Sequence, residues 1–600
     1  MNIAVIGSGG REHALVWRLL RDGHRVVALP GSDGIPGSIA VDITDDNALL
    51  AVLHDAQAEL VVIGPEAPLA RGLADVLRVA GLAVVGPGKA GARLEASKSY
   101  AKAFMQRHGV ATAPAVTVHG VTEARQHLAQ FATGVVVKFD GLAAGKGVVV
   151  CESVKEAEAA LQQLGARYGD DATLVLEDRL RGREISVLAL VDGTTAVLLP
   201  PAQDHKRLLD GDLGPNTGGM GAYCPVPWCT AQMLADIETQ IVAPTLRGLQ
   251  AEAIDFRGVL YFGVMVTAAG PRLLEYNTRF GDPETQVVVP QIGGDFGELL
   301  RRTATANLAG VAVESVPGYA VGVVLAAPDY PESPKTGLPI HGLEQRVRLF
   351  FHAGTRRVAD RWETAGGRVI TCVGQAETFD QARTEAYAAA EAIAFDGAQR
   401  RSDIGKQAMP RRVAVLFSGR GSNLGALLQA SGGGCLRSLA QIVVAVTNVA
   451  GAAGCTVAQQ FGVPIATLPS RGRTRAEFDA DLVSLLRHKQ VELVVLAGFM
   501  RVLSSAVIEA FPGRIVNIHP ADTRQHQGLH GYLWAWNQGL AQTWVTVHLV
   551  DASLDTGPIL VQTPVDLHGA VDVGEVERRG LAVEHATYAQ AIAHYVLENL

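Results

Sequence analysis

Residues 274–286 read Leu274-Glu275-Tyr276-Asn277-Thr278-Arg279-Phe280-Gly281-Asp282-Pro283-Glu284-Thr285-Gln286. The apolar run over residues 258–266, just before it, is predicted to be a buried strand. In an extended chain Glu275 and Asn277 stand two apart, so both side chains point to one face. A carboxylate and an amide oxygen side by side suit a hard cation such as Mg²⁺ (or Mn²⁺). Such an ion takes one or two protein oxygens and fills its shell with water and nucleotide phosphates. Arg279 lies on the same alternation and can hold a carboxylate or phosphate bidentately. An edge strand with an ordinary surface ion pair is the competing reading, and the rest of the chain decides between them.

The chain has 600 residues, more than one core can serve, and its pattern breaks into segments at 1–100, 101–320, 321–408 and 411–600. With 48% hydrophobic and 19% charged residues it reads as globular. Its six cysteines are scattered. Cys224 and Cys229, the near pair, read as two reduced thiols and not as half of a zinc site. That usage suits a reducing cytosol, so a cytoplasmic protein is expected. No apolar run reaches the ~18 residues of a membrane helix. Met1 leads straight into an apolar strand with no signal-peptide pattern. A net charge of −8 leaves no basic footprint for nucleic acid. The expected partners are therefore small molecules, with anionic ones held by local groups; a homo-oligomer stays open.

Residues 2–6 form an apolar strand, followed by Gly7-Ser8-Gly9-Gly10 and a helix from about residue 11 to 22. Strands at 25–29, 60–63 and 82–85 alternate with helical stretches, the pattern of a doubly wound βαβ unit. A glycine turn before a helix N-terminus is an anion site. A nicotinamide fingerprint needs glycine where Glu12 stands, which argues against that cofactor. Gly64-Pro65-Glu66-Ala67-Pro68 follows the third strand, at the carboxyl edge where ligands bind in such sheets.

In the second segment the strand 135–138 leads through Gly141 to Gly145-Lys146-Gly147 and back along 148–150. A glycine loop between strands lets amides close over phosphates, with lysines as point charges beside them. It is not a Walker loop, because no Ser or Thr follows Lys146 and no helix begins there. Ser153 and Glu156 form a capping box. Residues 174–180 read as a strand running into a connector, an adenine slot that ends at Leu180, and Glu184 can reach a ribose hydroxyl. Asp204 and Lys206, with the glycine-rich residues 214–223, make a polar surface open to close backbone approach. Short strands at 321–326, 351–354 and 367–373 and a helix at 380–393 follow, and residues 407–412 read as a hinge.

The pattern then restarts. Strand 413–417 turns through Ser418-Gly419-Arg420-Gly421-Ser422-Asn423 into a helix, again an anion site. Strand 493–497 is followed by Met500-Arg501-Val502-Leu503. Strand 515–519 presents Asn517 and His519 on one face, and strand 545–550 precedes Leu554-Asp555. A lone histidine on a strand is more often core than catalyst. An Asn, a His and an Asp at three successive element ends are better candidates for acid–base work.

The segments Gly7 to Ala14, Gly64 to Pro68, Lys138 to Gly147, Gln203 to Arg207, Gly214 to Tyr223 and Leu274 to Gln286 come in the order found in phosphoribosylamine–glycine ligase, an ATP-grasp enzyme of de novo purine synthesis, which residues 1 to about 408 resemble. The resemblance implies a Rossmann-like N-terminal domain, central ATP-grasp domains and a small closing domain. ATP and glycine would form glycyl phosphate, which phosphoribosylamine attacks. It implies Glu275 and Asn277 as Mg²⁺ ligands. Lys102, Lys138 and Lys146 would face the ATP phosphates under the Gly145–Gly147 loop, Glu177 and Glu184 the adenosine, and Gly9, Gly10 and Glu66 the sugar phosphate and amine. A glycine pair common before Tyr330-Pro331 is here Pro328-Asp329, expected as local turn variation.

Residues 411–600 resemble phosphoribosylglycinamide formyltransferase, which implies a second doubly wound α/β domain. The implied triad is Asn517, His519 and Asp555, moving a formyl group from 10-formyltetrahydrofolate to glycinamide ribonucleotide. Gly421, Ser422 and Asn423 would take its phosphate, Glu584 its ribose, and Met500, Arg501, Val502 and Leu503 the folate. After His519 the family's apolar Pro-Ser-Leu-Leu-Pro run is replaced by Pro520-Ala521-Asp522-Thr523-Arg524-Gln525-His526-Gln527, expected to make a wetter, looser wall. A glycine common before the next strand becomes Trp544. A formyltransferase-like module without catalysis is the rival reading for this half. Another ATP-grasp ligase, such as a carboxylase, is the rival for the first.

Overall fold

The computed structural model describes residues 1–143, 147–344 and 349–600. The chain divides into two compact units, Met1–Gln407 and Ala408–Leu600.

The first unit opens with a four-stranded parallel sheet in the order Arg25–Pro30, Asn2–Gly7, Leu60–Ile63, Ala83–Val85. Its central strands are almost wholly apolar because helices cover both faces. Glu12, in the first turn of helix Gly10–Arg21, is buried and accepts a hydrogen bond from the Gly9 amide at 2.7 Å. A side chain at position 64 would collide with that carboxylate (Cβ to Oε1 2.0 Å), so glycine there makes room for the buried acid.

Two antiparallel four-stranded sheets follow. One has the order Ala115–His119, Thr173–Asp178, Val135–Phe139, Val148–Cys151; the other Ala196–Leu198, Arg183–Asp192, Arg257–Thr267, Gly270–Asn277. Ser153 caps helix Val154–Tyr168 by accepting from the Glu156 amide. The last sheet of the unit does not respect the expected break at residue 320. Its order is Gln203–Asp204, Gly221–Cys224, Tyr319–Ala326, Arg368–Ala376, Leu349–His352. Two strands are therefore lent by the glycine-rich stretch before it, which is too short and too irregular to announce a strand. Asp329 sits at φ +61°, in the left-handed region that favours glycine, which accounts for a glycine being usual there.

The second unit is a seven-stranded sheet in the order Ile465–Thr467, Ala440–Thr447, Arg411–Phe417, Leu493–Leu496, Ile515–His519, Gln542–Leu549, Ile559–Asp566. The first five strands are parallel; Gln542–Leu549 runs antiparallel to them, and Ile559–Asp566 antiparallel to Gln542–Leu549. The chain runs outward from Arg411–Phe417, then crosses back to Leu493–Leu496. The carboxyl ends of those two strands thus flank the switch point where doubly wound sheets bind ligands. Ser418–Asn423 and Met500–Leu503 leave from there. Trp544 lies inside strand Gln542–Leu549, not before it.

Candidate active sites

In the first unit the pairing of Gly270–Asn277 with Arg257–Thr267 slips between Gly263 and Val264, leaving Leu274 unpaired. Such a bulge re-aims the chain beside a site. Here it frees the Leu274 carbonyl to accept from Lys138 Nζ at 2.9 Å. Glu275 and Asn277 are both half-buried. Burial alone would raise the Glu275 carboxyl. Lys206, Lys138, Lys98 and Arg279 outweigh it and hold the group below the usual range, so it stays ionised. Arg279 is braced by Glu95 Oε1 at 2.9 Å and Glu66 Oε2 at 3.6 Å, and donates to Asn277 Oδ1 at 3.3 Å. Its Nε is buried without a hydrogen bond. Glu95 in turn accepts from the Thr278 amide at 2.7 Å.

Lys102 and Lys138 share Glu177 Oε1 at 3.2 and 2.9 Å, all three side chains buried. Glu177, expected to face an adenosine, is thus the counter-ion of two buried ammonium groups, which could not both stay charged there without it. Burial pulls Lys102 down to about 8, helped by Lys138 and opposed by Glu177. Burial also pulls on Lys206, but Glu184, Asp204, Tyr261 and Glu275 raise it well above the ordinary value. Glu184 is its direct partner, at 2.5 Å. Asp204 is pushed up by burial and by Glu284 and Glu184, against Lys206. Gly10 packs so close to Gln286 that a Cβ would stand 2.8 Å from its Nε2. The stretch 274–286 therefore borders the Glu275 end and the Gly9–Gly10 turn alike, with Asp282 fixed by Arg368 at 2.9 Å. Leu180 is half-buried in the connector between Thr173–Asp178 and Arg183–Asp192, and the Gly147 carbonyl accepts from the Phe139 amide at 2.7 Å. Gly145 and Lys146 lie outside the described residues. Glu95 and Lys98 were missed by the sequence reading. Lys98 donates to the Gly141 carbonyl at 2.8 Å and is among the cations acting on Glu275.

In the second unit Asn517, His519 and Asp555 converge. Asn517 Nδ2 donates to Asp555 Oδ1 at 3.3 Å, and His519 Nδ1 stands 3.4 Å from Asp555 Oδ2. His519 Nε2 donates to the His526 carbonyl at 3.0 Å. Asp555 takes φ +53°, a strained backbone of the kind found at functional sites. Burial would raise its carboxyl, but His548, the Gly528 amide and His519 hold it low. His519 lies below the ordinary imidazole value. Burial is the main cause, His548 and His526 add to it, and Asp555 and the His526 carbonyl oppose it. His548 was not singled out from the sequence. It sits opposite Asn517 across the antiparallel pair, with Nε2 3.3 Å from Asn517 Nδ2 and 3.5 Å from Asp555.

Gly421 caps helix Ser422–Gly433. Glu584 is buried and accepts from Asn423 and Tyr532, leaving Asn423 Oδ1 buried without a partner. The four expected folate-wall residues split by alternation. Met500 and Val502 are 65% and 54% exposed. Leu503 belongs to the apolar core, and Arg501 stacks over Phe478 at 4.5 Å. The loop after His519 is not loose. Asp522 and Thr523 are buried, and the Asp522 carboxylate gathers donors from Arg524, Gln525 and Gln562.

Among the described residues no helix is long and apolar enough to cross a membrane. Residues 1–95, 96–285 and 320–407 match the phosphoribosylglycinamide synthetase N, ATP-grasp (A) and C domains, and residues 411–592 match formyl transferase. A phosphoribosylamine–glycine ligase of Leifsonia xyli is 47% identical over 421 residues, covering 68% of this chain and 100% of that protein. A trifunctional purine biosynthetic protein of Chironomus tentans is 41% identical over 428 residues, 68% of this chain and 31% of that one. The crystal structure of phosphoribosylamine–glycine ligase from Thermotoga maritima superposes with TM-score 0.60 at 36% identity, over 67% of this chain and 100% of that chain. The chain belongs to the phosphoribosylamine–glycine ligase family of purine biosynthesis, with its ligase domains followed by a formyl transferase domain.

Proposed function

We propose that the two units catalyse consecutive reactions. The first ligates glycine to 5-phosphoribosylamine with ATP, releasing ADP and phosphate. The second moves a formyl group from 10-formyltetrahydrofolate onto the resulting glycinamide ribonucleotide. The carboxylate of Glu275 and the amide of Asn277, the first kept ionised by four cations, fit a hard divalent ion. A bound Mg²⁺ would neutralise charge on the nucleotide phosphates. Lys138, Lys102 and Lys206 place positive charge beside the same strand. Arg279, braced by Glu66 and Glu95, adds a fixed positive charge beside Asn277. Phosphoryl transfer is mostly positioning and charge neutralisation, which this arrangement supplies. Gly9, Gly10 and Glu66 take the sugar phosphate and amine end.

In the second unit His519 already carries hydrogen on Nε2, directed at the His526 carbonyl. The nitrogen left to accept a proton from the attacking amine is Nδ1, beside Asp555. The carboxylate stabilises the imidazolium as it forms, and the Asn517 amide is the donor for the developing oxyanion. The observation that carries this reading is the meeting of Asn517 and His519, on strand Ile515–His519, with Asp555, from the segment after Gln542–Leu549, within 3.4 Å. A coupled assay with ATP, glycine, phosphoribosylamine and 10-formyltetrahydrofolate, following both products, tests it. Glycine-dependent ADP release followed by formylated product is expected. Accumulation of glycinamide ribonucleotide with no formylation at any folate concentration would replace the transferase with a binding module.

A further inference from the structure

The segment after His519 touches both His519 and Asp555 through main-chain groups. The His526 carbonyl receives His519 Nε2–H at 3.0 Å, and the Gly528 amide donates to Asp555 Oδ2 at 2.9 Å. The position of those two groups therefore sets the tilt of the imidazole and the place of the carboxylate. What fixes the segment is Asp522, three residues after His519 and 5% exposed. Its Oδ1 accepts from the Arg524 amide at 3.1 Å, Arg524 Nε at 3.0 Å and Gln562 Nε2 at 3.0 Å. Its Oδ2 accepts from Arg524 Nη2 at 3.1 Å and Gln525 Nε2 at 3.2 Å. Its carbonyl accepts from the amides of Gln525 and His526, both at 2.9 Å. Gln562 belongs to strand Ile559–Asp566 and also donates to Thr546 Oγ1 at 3.0 Å. Thr546, on the neighbouring strand Gln542–Leu549, donates to the Ala521 carbonyl at 2.7 Å. The buried carboxylate thus ties the loop to strand Ile559–Asp566 through Gln562, and the Ala521 carbonyl ties it to Gln542–Leu549 through Thr546. The His526 ring adds a stack on Trp534 at 4.8 Å. Charge-assisted bonds of this kind hold geometry more tightly than the apolar contacts they stand in for.

We propose that Asp522 is a positioning residue for formyl transfer: by fastening residues 522–528 to Gln562 it sets the stations of the His526 carbonyl and the Gly528 amide, and through them the alignment of His519 and Asp555. The proposal rests on the reading that residues 411–600 transfer a formyl group through these two side chains. Asp522 touches neither of them with its carboxylate, so its effect is indirect. The groups acting on His519 are Asp555, His548 on the adjacent strand and His526 in the loop. The His526 carbonyl raises the His519 value. Freeing the loop changes both the burial that lowers the imidazole and the carbonyl that raises it, so the acid limb of turnover moves.

The test uses the full chain. Asp522→Leu removes every acceptor at that side chain, and Asp522→Asn keeps part of them. Turnover of formyl transfer at saturating substrates is followed against pH, with ligation rate and the Kd for glycinamide ribonucleotide measured on the same preparation. An offset of about 1 Å at a catalytic group costs on the order of a hundredfold. Asp522→Leu is expected to lose roughly 10–100-fold in turnover and to shift the acid limb. Ligation and the Kd should stay within about twofold, and Asp522→Asn should recover part of the loss. Unchanged turnover and an unchanged acid limb in Asp522→Leu, with the Kd retained, overturn the proposal. If Asp522→Leu loses glycinamide ribonucleotide binding altogether, Gln562→Met decides. The same shift, smaller, supports the anchoring role, and a wild-type pH profile refutes it. Absence of formyl transfer in the unaltered chain removes the functional reading itself, and the proposal with it.

Discussion

The two sites hold their reactive groups by different means. In Met1–Gln407 the site is stitched from charges far apart in the chain: Thr278 meets Glu95 across 183 residues, and Arg279 is braced by Glu66 and Glu95 together. In Ala408–Leu600 the reactive groups stand on one edge of one sheet, with Asn517 and Asp555 38 residues apart, and they are aligned by main-chain carbonyl and amide groups. A site of interlocked buried charges couples catalysis to stability, because deleting one charge strands its partners. A site aligned by nearby main-chain groups can lose its chemistry and keep its fold. The chain carries both, so each serves as the other's control.

The comparison breaks first at the second site if Asp555→Asn leaves formyl transfer intact. An amide cannot stabilise an imidazolium as a carboxylate does, and it can select the wrong tautomer of His519. A loss of roughly 10³–10⁴ in turnover is expected, with ligation and thermal stability unchanged. Glu275→Gln should remove roughly 10²–10³ of ligation at saturating Mg²⁺ and spare formyl transfer, since it deletes the charged half of the ion site. Ligation at the wild-type rate would withdraw the metal assignment.

Glu177→Gln sharpens the contrast. It leaves Lys102 and Lys138 buried without their counter-ion, so the ligase unit should lose on the order of 3 kcal/mol of stability as well as activity. Denaturant titration read by peptide-resolved hydrogen exchange would show the loss confined to the first unit. Equal stability would mean the two lysines find other partners. Acid should also weaken the first unit. Burial takes His13 down to about 3 and His352 to about 4, the His352 charge adding to the shift at His13. Both are neutral in the fold at pH 5.5, while an unfolded chain takes up protons below about 6.5. Their contribution is complete above pH 6.5 and is lost as pH falls toward 4 and 3, at roughly 1 kcal/mol per pH unit each. The same exchange experiment at pH 7 and 5.5 checks this.

Much of this was legible in the sequence where one local rule sufficed. The strand alternation put Glu275 with Asn277 and Asn517 with His519, and glycine turns marked the starts of helices Gly10–Arg21 and Ser422–Gly433. The parts that escaped are set by tertiary neighbours. Nothing near Glu95 or Lys98 announces Arg279 or Glu275, and His548 becomes visible only when its strand is registered against Asn517. Strands Gln203–Asp204 and Gly221–Cys224 exist because a distant sheet edge recruits them. The inward turn of Arg501 and Leu503 follows from an alternation that a list of four wall residues overlooked. Asp522 read as a solvating charge because its five side-chain donor contacts come partly from Gln562, 40 residues away.

The smallest effect tests the central claim most directly. Each unit has its own sheet and its own site, so proteolytic cleavage near Pro410 should release two folded parts. Residues 411–600, given glycinamide ribonucleotide and 10-formyltetrahydrofolate, should transfer the formyl group within about twofold of the rate in the intact chain, because linkage alters effective concentration and not the chemistry. A released part that folds and binds glycinamide ribonucleotide but transfers nothing would contradict the account.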